Sequence, residues 1–301
     1  MITAVVHTYN EEKNIARCLS SLFWVDEIVL VDMGSTDDTL KIVSEYKVKV
    51  FNHPFTGFVE PARNFAQKKA QGDWIMIVDA DEEIPRTLAG FLLKFASEGK
   101  YDYLRIPRKN YIFDRWIKNS GWWPDYQIRF FKKNSVRWTD KIHSVPLTRG
   151  EGHDLELREE LSIVHHNYQS IAQFLERLNR YSDIRAKELF VANGKFRYEY
   201  LFEKPVKEFV RRFIVWGGYK DGLHGLALSL LQAFSELAIY LKLWELYDFF
   251  PARLSLKDVF LSIRKEYKMI TFHFSQELIG KTKNNLLSLL MRVKRKLGYY
   301  G

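Results

Sequence analysis

The chain has 301 residues, 47% of them apolar and 28% charged, enough for a substantial core and unlike a disordered or fibrous composition. A single cysteine, Cys18, excludes an intramolecular disulfide and any zinc site built from cysteine clusters. The net charge of +9 sits wholly in the C-terminal third: residues 1–190 hold 27 basic and 27 acidic side chains, residues 191–301 hold 19 and 10. Charge confined in this way reads as a local basic surface, and nucleic acid is not an expected partner.

Met1 leads straight into an apolar, β-branched run, with no basic segment and apolar stretch before it. No secretory leader is expected, and the chain is expected in the cytoplasm. Residues 2–8 read as a strand, and a helix follows from Asn10-Glu11-Glu12 through Ile15, Leu19 and Leu22, its acidic first turn suited to a helix N-terminus. Residues 27–32 form a second short buried strand. Ser35-Thr36-Asp37-Asp38 offers an N-cap for a helix from Thr39 to Tyr46. Val48 to Phe51 is a third strand and Pro61 to Gln71 is helical. Trp74 to Val78 is a fourth strand, ending in Asp79-Ala80-Asp81, and Pro85 opens a helix through Phe95. This alternation predicts an α/β fold with a doubly wound, mostly parallel sheet. Ligands of such sheets bind at the C-terminal strand ends, where Thr8, Asn10, Asp32, Asp79 and Asp81 fall.

From about residue 101 the pattern changes. Residues 103–106, 127–131 and 161–164 read as strands among loops, and from Ser170 the pattern is helical almost to the end. Two parts are expected: residues 1–168 as the α/β domain, and 169–301 as a helical, basic extension. Residues 222–241 are the most apolar stretch, interrupted by Glu236 and borderline in length for a membrane span, so an interfacial or buried helix is favoured. Lys281 to Lys296 carries six basic residues and no acid around Leu286, Leu287, Leu289 and Leu290. That is the composition of a helix lying on an anionic membrane surface, or of a solvated helix packing its leucines on the body.

Asp79-Ala80-Asp81 is the sharpest chemical signal. Two carboxylates two apart, just past a buried strand, can converge on one hard cation such as manganese or magnesium, which shares its remaining positions with phosphates and water. Alone the triplet equals an acidic turn; after the fourth strand of an α/β pattern it gains weight. Asp32 is read as hydrogen-bonding to a nucleobase or ribose, whereas Asp37 and Asp38 are turn and cap residues. Arg63 carries a planar guanidinium able to stack on a base or fork to a phosphate.

The set Thr8-Tyr9-Asn10-Glu11-Glu12, Asp32 to Thr39, Arg63-Asn64 and Val78-Asp79-Ala80-Asp81 resembles the family 2 glycosyltransferases, which have a GT-A fold and nucleotide-sugar donors. Trp123 to Phe131, Trp138, Ile142-His143, and His165 with Tyr168 resemble the branch that builds bacterial lipopolysaccharide core. The resemblance covers about residues 1–245, with one departure at Ser144, where an acid is expected after the histidine. It implies that Thr8, Asn10, Glu11, Asp32 and Arg63 hold the nucleotide, that Asp79 lies near the ribose, and that Asp81 binds the metal, with His143 or His165 as a further ligand. It also implies an inverting displacement in which a carboxylate deprotonates the acceptor hydroxyl. Asp125 and Asp140 are the candidates, and Asp125 is preferred because it lies in the better-matched segment. A uridine diphosphate-linked donor and a lipid-linked saccharide acceptor at the inner face of the cell membrane follow from the same resemblance. The competing reading is a non-catalytic nucleotide-sugar or glycan-binding module on the same fold. A nucleotidyltransferase is disfavoured, because Thr8-Tyr9-Asn10-Glu11 lacks a glycine-rich basic loop for a triphosphate.

Overall fold

A computed structural model of the chain describes residues 1–54, 59–139, 146–251 and 253–281. His143 and Asp140 lie outside the described residues, as does the basic segment beyond Lys281. The chain divides into two compact units. The first takes Met1–Trp116 and Trp122–Asn167; the second takes Ile117–Gly121 and the described residues from Tyr168 onward.

In the first unit the expected alternation is present: β1 (Ile2–Thr8), α1 (Ile15–Ser20), β2 (Glu27–Asp32), α2 (Thr39–Val43), β3 (Lys49–Asn52), α3 (Glu60–Lys69), β4 (Trp74–Asp79), β5 (Glu82–Glu83) and α4 (Arg86–Glu98). Strands β1 to β4 pair in parallel in the order β3-β2-β1-β4. Their side chains alternate between two cores, as the two-residue period of a strand requires. Ala4, Val6, Leu30, Met76 and Val78 pack with Ile15, Cys18, Leu19, Leu88 and Leu92 from α1 and α4. Val5, Val29, Val31, Ile75 and Ile77 point the other way, against Ala62, Ala66 and Ala70, with Trp138 in the same cluster. The sheet is therefore doubly wound, with the small residues of α3 allowing close approach on its face.

The sheet continues through strands of mixed direction. These are β6 (Tyr103–Ile112), β7 (Arg115–Trp116), β8 (Asp125–Lys132), β11 (Gly152–Asp154) and β12 (Ile163–Tyr168); β9 (Val136–Arg137) and β10 (Leu147–Thr148) form a separate small ribbon. Among the described residues the sheet order is β3-β2-β1-β4-β8-β6-β12-β5. Strand β8 is antiparallel to both β4 and β6, and β12 is antiparallel to β5. Strand β8 is the junction of the two halves, pairing with Trp74–Met76 of β4 on one side and with β6 on the other.

The second unit is helical: α5 (Ile171–Val191), α6 (Tyr200–Phe209) running into a π-helical turn at Val210–Val215, α7 (Leu223–Leu246) and α8 (Leu256–Lys281). Helix α5 is capped by Ser170, whose Oγ accepts the Gln173 N–H at 3.1 Å. Helix α7 packs against α5 and α6, and Lys242 ties it to α5 through the Asn179 carbonyl (2.7 Å) and Ser182 Oγ (2.9 Å). Among the described residues it is the one helix long and apolar enough to cross a membrane by length and composition. Gly225 near its start is required: a Cβ there would sit 1.8 Å from the Gly218 carbonyl oxygen.

Candidate active site

The register of the parallel strands sets Thr8 beside Asp32 and His7 beside Asp79 at the sheet's C-terminal edge. The two loops that follow β1 and β2 are fastened together. Asn10 adopts φ 55°, a left-handed conformation that Asn tolerates better than most residues. Its N–H donates to Ser35 Oγ at 3.0 Å, and its Oδ1 accepts the Thr36 N–H at 2.7 Å. Glu11 donates its N–H to Thr39 Oγ1 at 2.8 Å, and its carboxylate accepts from Asn14 Nδ2 at 2.7 Å. The buried Asp32 carboxylate accepts the Gly34 and Ser35 N–H groups at 3.0 and 3.1 Å. Asn10, Glu11 and Asp32 thus build the rigid frame of this edge. Asp32 also lines a cleft of about 550 Å³ with Gly34, Leu40, Asn52 and His53. The Thr8 hydroxyl oxygen is buried with no hydrogen-bond partner among the described residues.

Next to this frame runs a ladder of alternating charge. Arg63, presented by α3, donates to both oxygens of Asp79 at 3.1 and 3.2 Å, and its guanidinium lies 5.5 Å from the Trp138 ring centroid. Arg129 on β8 also donates to Asp79, and to Glu82 Oε1 at 2.7 Å. Arg108 on β6 donates to the same Glu82 oxygen at 3.0 Å and to Asp125 Oδ2 at 2.6 and 2.9 Å. Glu82 Oε2 in turn accepts the Asp79 N–H at 3.0 Å. Burial raises the Asp79 pKa, but Arg129 and Arg63 outweigh it and hold the carboxyl well below the usual range.

Asp125 is the far end of this ladder. Besides Arg108, it accepts from Asn110 Nδ2 (3.2 Å) on Oδ2 and from Gln127 Nε2 (2.8 Å) on Oδ1. Burial pushes its pKa up, while Arg108, Gln127 and Asn110 together bring it below the usual value. It is ionised at neutral pH, a weak base, and Oδ1 is its less engaged oxygen.

The pairing of β5 with β12 brings His165 beside Asp81. His165 lies opposite Glu82 in register, and the Asp81 carbonyl accepts the His166 N–H at 2.8 Å. The His165 Nε2 stands 3.5 Å from Asp81 Oδ2. On its other side, Nδ1 is 2.6 Å from Asn110 Oδ1. The orientation of that amide is fixed, because Asn110 Nδ2 meets only acceptors, the Trp122 carbonyl at 2.8 Å and Asp125. Oδ1 must then accept, Nδ1 carries the proton, and in the neutral ring Nε2 turns a lone pair toward the Asp81 carboxylate. A lone pair and a carboxylate oxygen facing each other, with the distal ring nitrogen anchored, could hold a divalent cation. Among the described residues no third His, Cys, Asp or Glu joins them.

Of the residues expected from the sequence, Asp81 and His165 come together. Asn10, Glu11 and Asp32 meet in the loop frame, and Arg63 and Asp79 meet in the ladder. Asp125 lies near His165 through Asn110. Glu82, Arg108, Asn110 and Arg129 were not anticipated. The available signal was spacing: Asp125 and Gln127 are two apart on β8, and Arg108 and Asn110 two apart on β6, whereas Arg129 falls at a register shift between the two strands that no spacing reveals.

The mixed, doubly wound α/β sheet with acidic residues gathered at its C-terminal strand ends has the architecture expected of a GT-A fold. Residues 3–149 match the model of the family described as Glycosyl transferase family 2. It is similar to an uncharacterized glycosyltransferase of Rickettsia typhi, 29% identical over 81% of this chain and 87% of that protein. It is also similar to the lipopolysaccharide core biosynthesis glycosyltransferase LpsC of Rhizobium meliloti, 23% identical over 77% of this chain and 87% of that protein. Among solved structures, Staphylococcus aureus TarS 1–349 in complex with UDP aligns at 19% identity with a TM-score of 0.43, covering 85% of this chain and 94% of that one.

Proposed function

We propose that the chain is an inverting, metal-dependent glycosyltransferase. It takes a sugar from a nucleotide-sugar donor, a uridine diphosphate sugar, and passes it to a lipid-linked saccharide such as lipopolysaccharide core. It works in the cytoplasm, peripherally at the inner face of the cell membrane. The observation that carries this reading is the facing pair of Asp81 Oδ2 and His165 Nε2, 3.5 Å apart, at the C-terminal edge of the sheet.

Asp81 and His165 would hold manganese or magnesium, with His143 available as a further ligand. When bound, the cation neutralises charge that develops on the departing diphosphate. The nucleoside end of the donor is assigned to the frame of Thr8, Asn10, Glu11 and Asp32, where the unpaired Thr8 hydroxyl and the Asp32 cleft leave polar groups for it. Arg63 and Arg129 keep Asp79 ionised beside the ribose. Asp125 accepts the acceptor hydroxyl's proton on Oδ1; its low basicity suits a late proton transfer from an oxygen already bonding to the anomeric carbon. The family match and the relatives named as glycosyltransferases support the transferase reading.

The test is transfer and donor hydrolysis across nucleotide sugars, with and without manganese. Asp81→Asn is expected to abolish both while retaining the thermal midpoint. Full turnover in that variant, or in excess chelator, would sink the metal-dependent reading. Asp125→Asn is expected to lose transfer by a hundredfold to ten-thousandfold, roughly the contribution of a general base, while still binding donor. If Asp140→Asn loses transfer instead, the base is Asp140.

A further inference from the structure

Helix α8 is amphipathic in the wrong sense for a helix in water. Its buried residues are Ser262, Glu266 and Ile279, so two of the three are polar. Its inward contacts include polar ones: Lys265 Nζ lies 3.3 Å from Glu203 Oε2, and Glu277 accepts the Tyr219 hydroxyl at 2.5 Å, while Phe274 meets the Phe213 ring at a centroid distance of 6.4 Å. Burial pushes the Glu266 carboxyl pKa up. Several of its large apolar residues face outward: Phe260 is 59% exposed, Ile263 51% and Tyr267 52%, against 9% for Ser262 and 5% for Glu266. Leu256, Phe260, Ile263, Tyr267 and Leu278 recur at helical spacing as a stripe on one exposed face, with Phe274, 37% exposed and edging against Phe213, on the same line.

Two charge features choose what covers this stripe. Lys257, Arg264 and Lys268, all exposed, form a basic row beside it. Glu277 is the last acid in the chain, and the sequence after it adds Lys281, Lys283, Arg292, Lys294, Arg295 and Lys296. A second copy seated here would set like charges together. An apolar stripe with aromatic residues and a basic margin is instead the pattern of a helix lying in the interface of an anionic bilayer. The most apolar helix, α7, does not share it: among its exposed residues are Leu223, Leu230, Phe234 and Leu241, with no basic row beside them.

We propose that α8 is the element that docks the enzyme on an anionic lipid surface, its Leu256-to-Leu278 stripe entering the headgroup boundary and Lys257, Arg264 and Lys268 meeting lipid phosphates. This rests on, and sharpens, the membrane-facing part of the proposed function. The experiment is flotation of the full chain with phosphatidylcholine vesicles, with and without 30% phosphatidylglycerol (a proportion of about one lipid in three, to supply the anionic surface potential). The full chain is expected to float with the anionic vesicles and to release as salt rises. Phe260→Ser/Ile263→Ser/Tyr267→Ser, all at exposed positions, is expected to lose partitioning by about tenfold or more at an unchanged circular dichroism spectrum and thermal midpoint. Lys257→Gln/Arg264→Gln/Lys268→Gln is expected to bind more weakly and with a flatter salt dependence. Absence of binding by the full chain, equal binding by the apolar triple variant, or a full-chain dimer that this variant dissolves would each overturn the proposal. Donor hydrolysis is measured on the same proteins in vesicle-free solution, where both triple variants are expected to equal the unaltered chain. Lack of hydrolysis in the unaltered chain counts against the transferase reading and leaves the flotation result intact.

Discussion

Asn110 shows how one buried side chain can decide the state of a site. It is fully buried, and its amide fixes the His165 tautomer while touching Asp125. Asn110→Leu is expected to weaken manganese binding, read by electron paramagnetic resonance, by roughly 10- to 100-fold, the usual effect of removing a partner that orients a ligand. Unchanged manganese affinity would show that Asn110 does not set the ligand. His7 makes a second case. Burial, aided by the Arg63 charge, lowers its pKa to about 3. The unfolded chain takes up a proton near pH 6.5 that the folded chain refuses until about pH 3, so stability falls as pH drops between those values. Moving from pH 6.5 to 5 is expected to cost about 2 kcal/mol through this residue, at roughly 1.4 kcal/mol per pH unit. Urea unfolding of His7→Gln against the unaltered chain is expected to lack that share of the slope; parallel pH profiles would refute it. At this scale the sequence made Asp79 and Asp81 legible, because acids directly after an apolar strand have few structural reasons to be there. Glu82, Arg108 and Arg129 were hidden, because a charged residue on a strand looks like a polar face until its cross-strand partner is known. Asp32, Asn10 and Glu11 were found as residues of the site edge, yet their polar atoms bond mostly to the loops themselves, which no spacing reveals.

The elements differ in how well they could be read. Strands β1, β2 and β4 are buried on both faces, so their continuous apolar runs mark them to within a residue. Helix α1 is shorter than the sequence pattern, Ile15–Ser20, because residues 10–14 form the loop that binds Ser35, Asp37 and Thr39. In the antiparallel half, β6 runs ten residues to Ile112 although only 103–106 read as strand; Pro107 and Arg108 are poor strand formers alone and are kept extended by β8. Strand β5 has two residues, Glu82 and Glu83, and no propensity would find it. Yet these strands assemble the charge ladder, for Arg108 lies opposite Asp125 in register. The ladder is interdependent: Arg129 is 2% exposed and serves Asp79 and Glu82 at once. Arg129→Met would leave two carboxylates without their shared cation, at a cost of about 3–5 kcal/mol, as when one partner of a buried pair is removed. Chemical denaturation measures it. Arg129→Met with unchanged stability would mean that solvent, not Arg129, balances these acids.

The whole molecule is divided in a way that its chain order does not suggest. Ile117–Gly121, between two parts of the first unit in sequence, belongs to the second unit. Sequence patterning gives a boundary near residue 168 but cannot register a five-residue segment whose partners lie about a hundred positions away. Those partners are specific. The buried Asp221 carboxylate accepts the Asn119 N–H at 2.9 Å and its Nδ2 at 3.2 Å. Ser120 donates its N–H to the Trp216 carbonyl at 3.0 Å and accepts from Arg212 Nη1 at 2.8 Å. Gly121, at φ 78°, has no room for a Cβ, which would stand 2.6 Å from the Trp216 ring. Asp221 is therefore expected to act as the staple of this segment. Asp221→Ala leaves the Asn119 N–H without its acceptor, a loss of about 1–3 kcal/mol for a buried donor. The effect is expected to be local, since β1 to β4 share no hydrogen bond with Asp221. Amide hydrogen exchange by mass spectrometry separates the outcomes. Faster exchange over residues 117–121 and the turn at 216–222, with β1 to β4 unchanged, is the expected result. Unchanged exchange at 117–121 would show that Trp216 and Arg212 hold the segment without Asp221. Faster exchange spreading through β1 to β4 would show that the two units unfold as one.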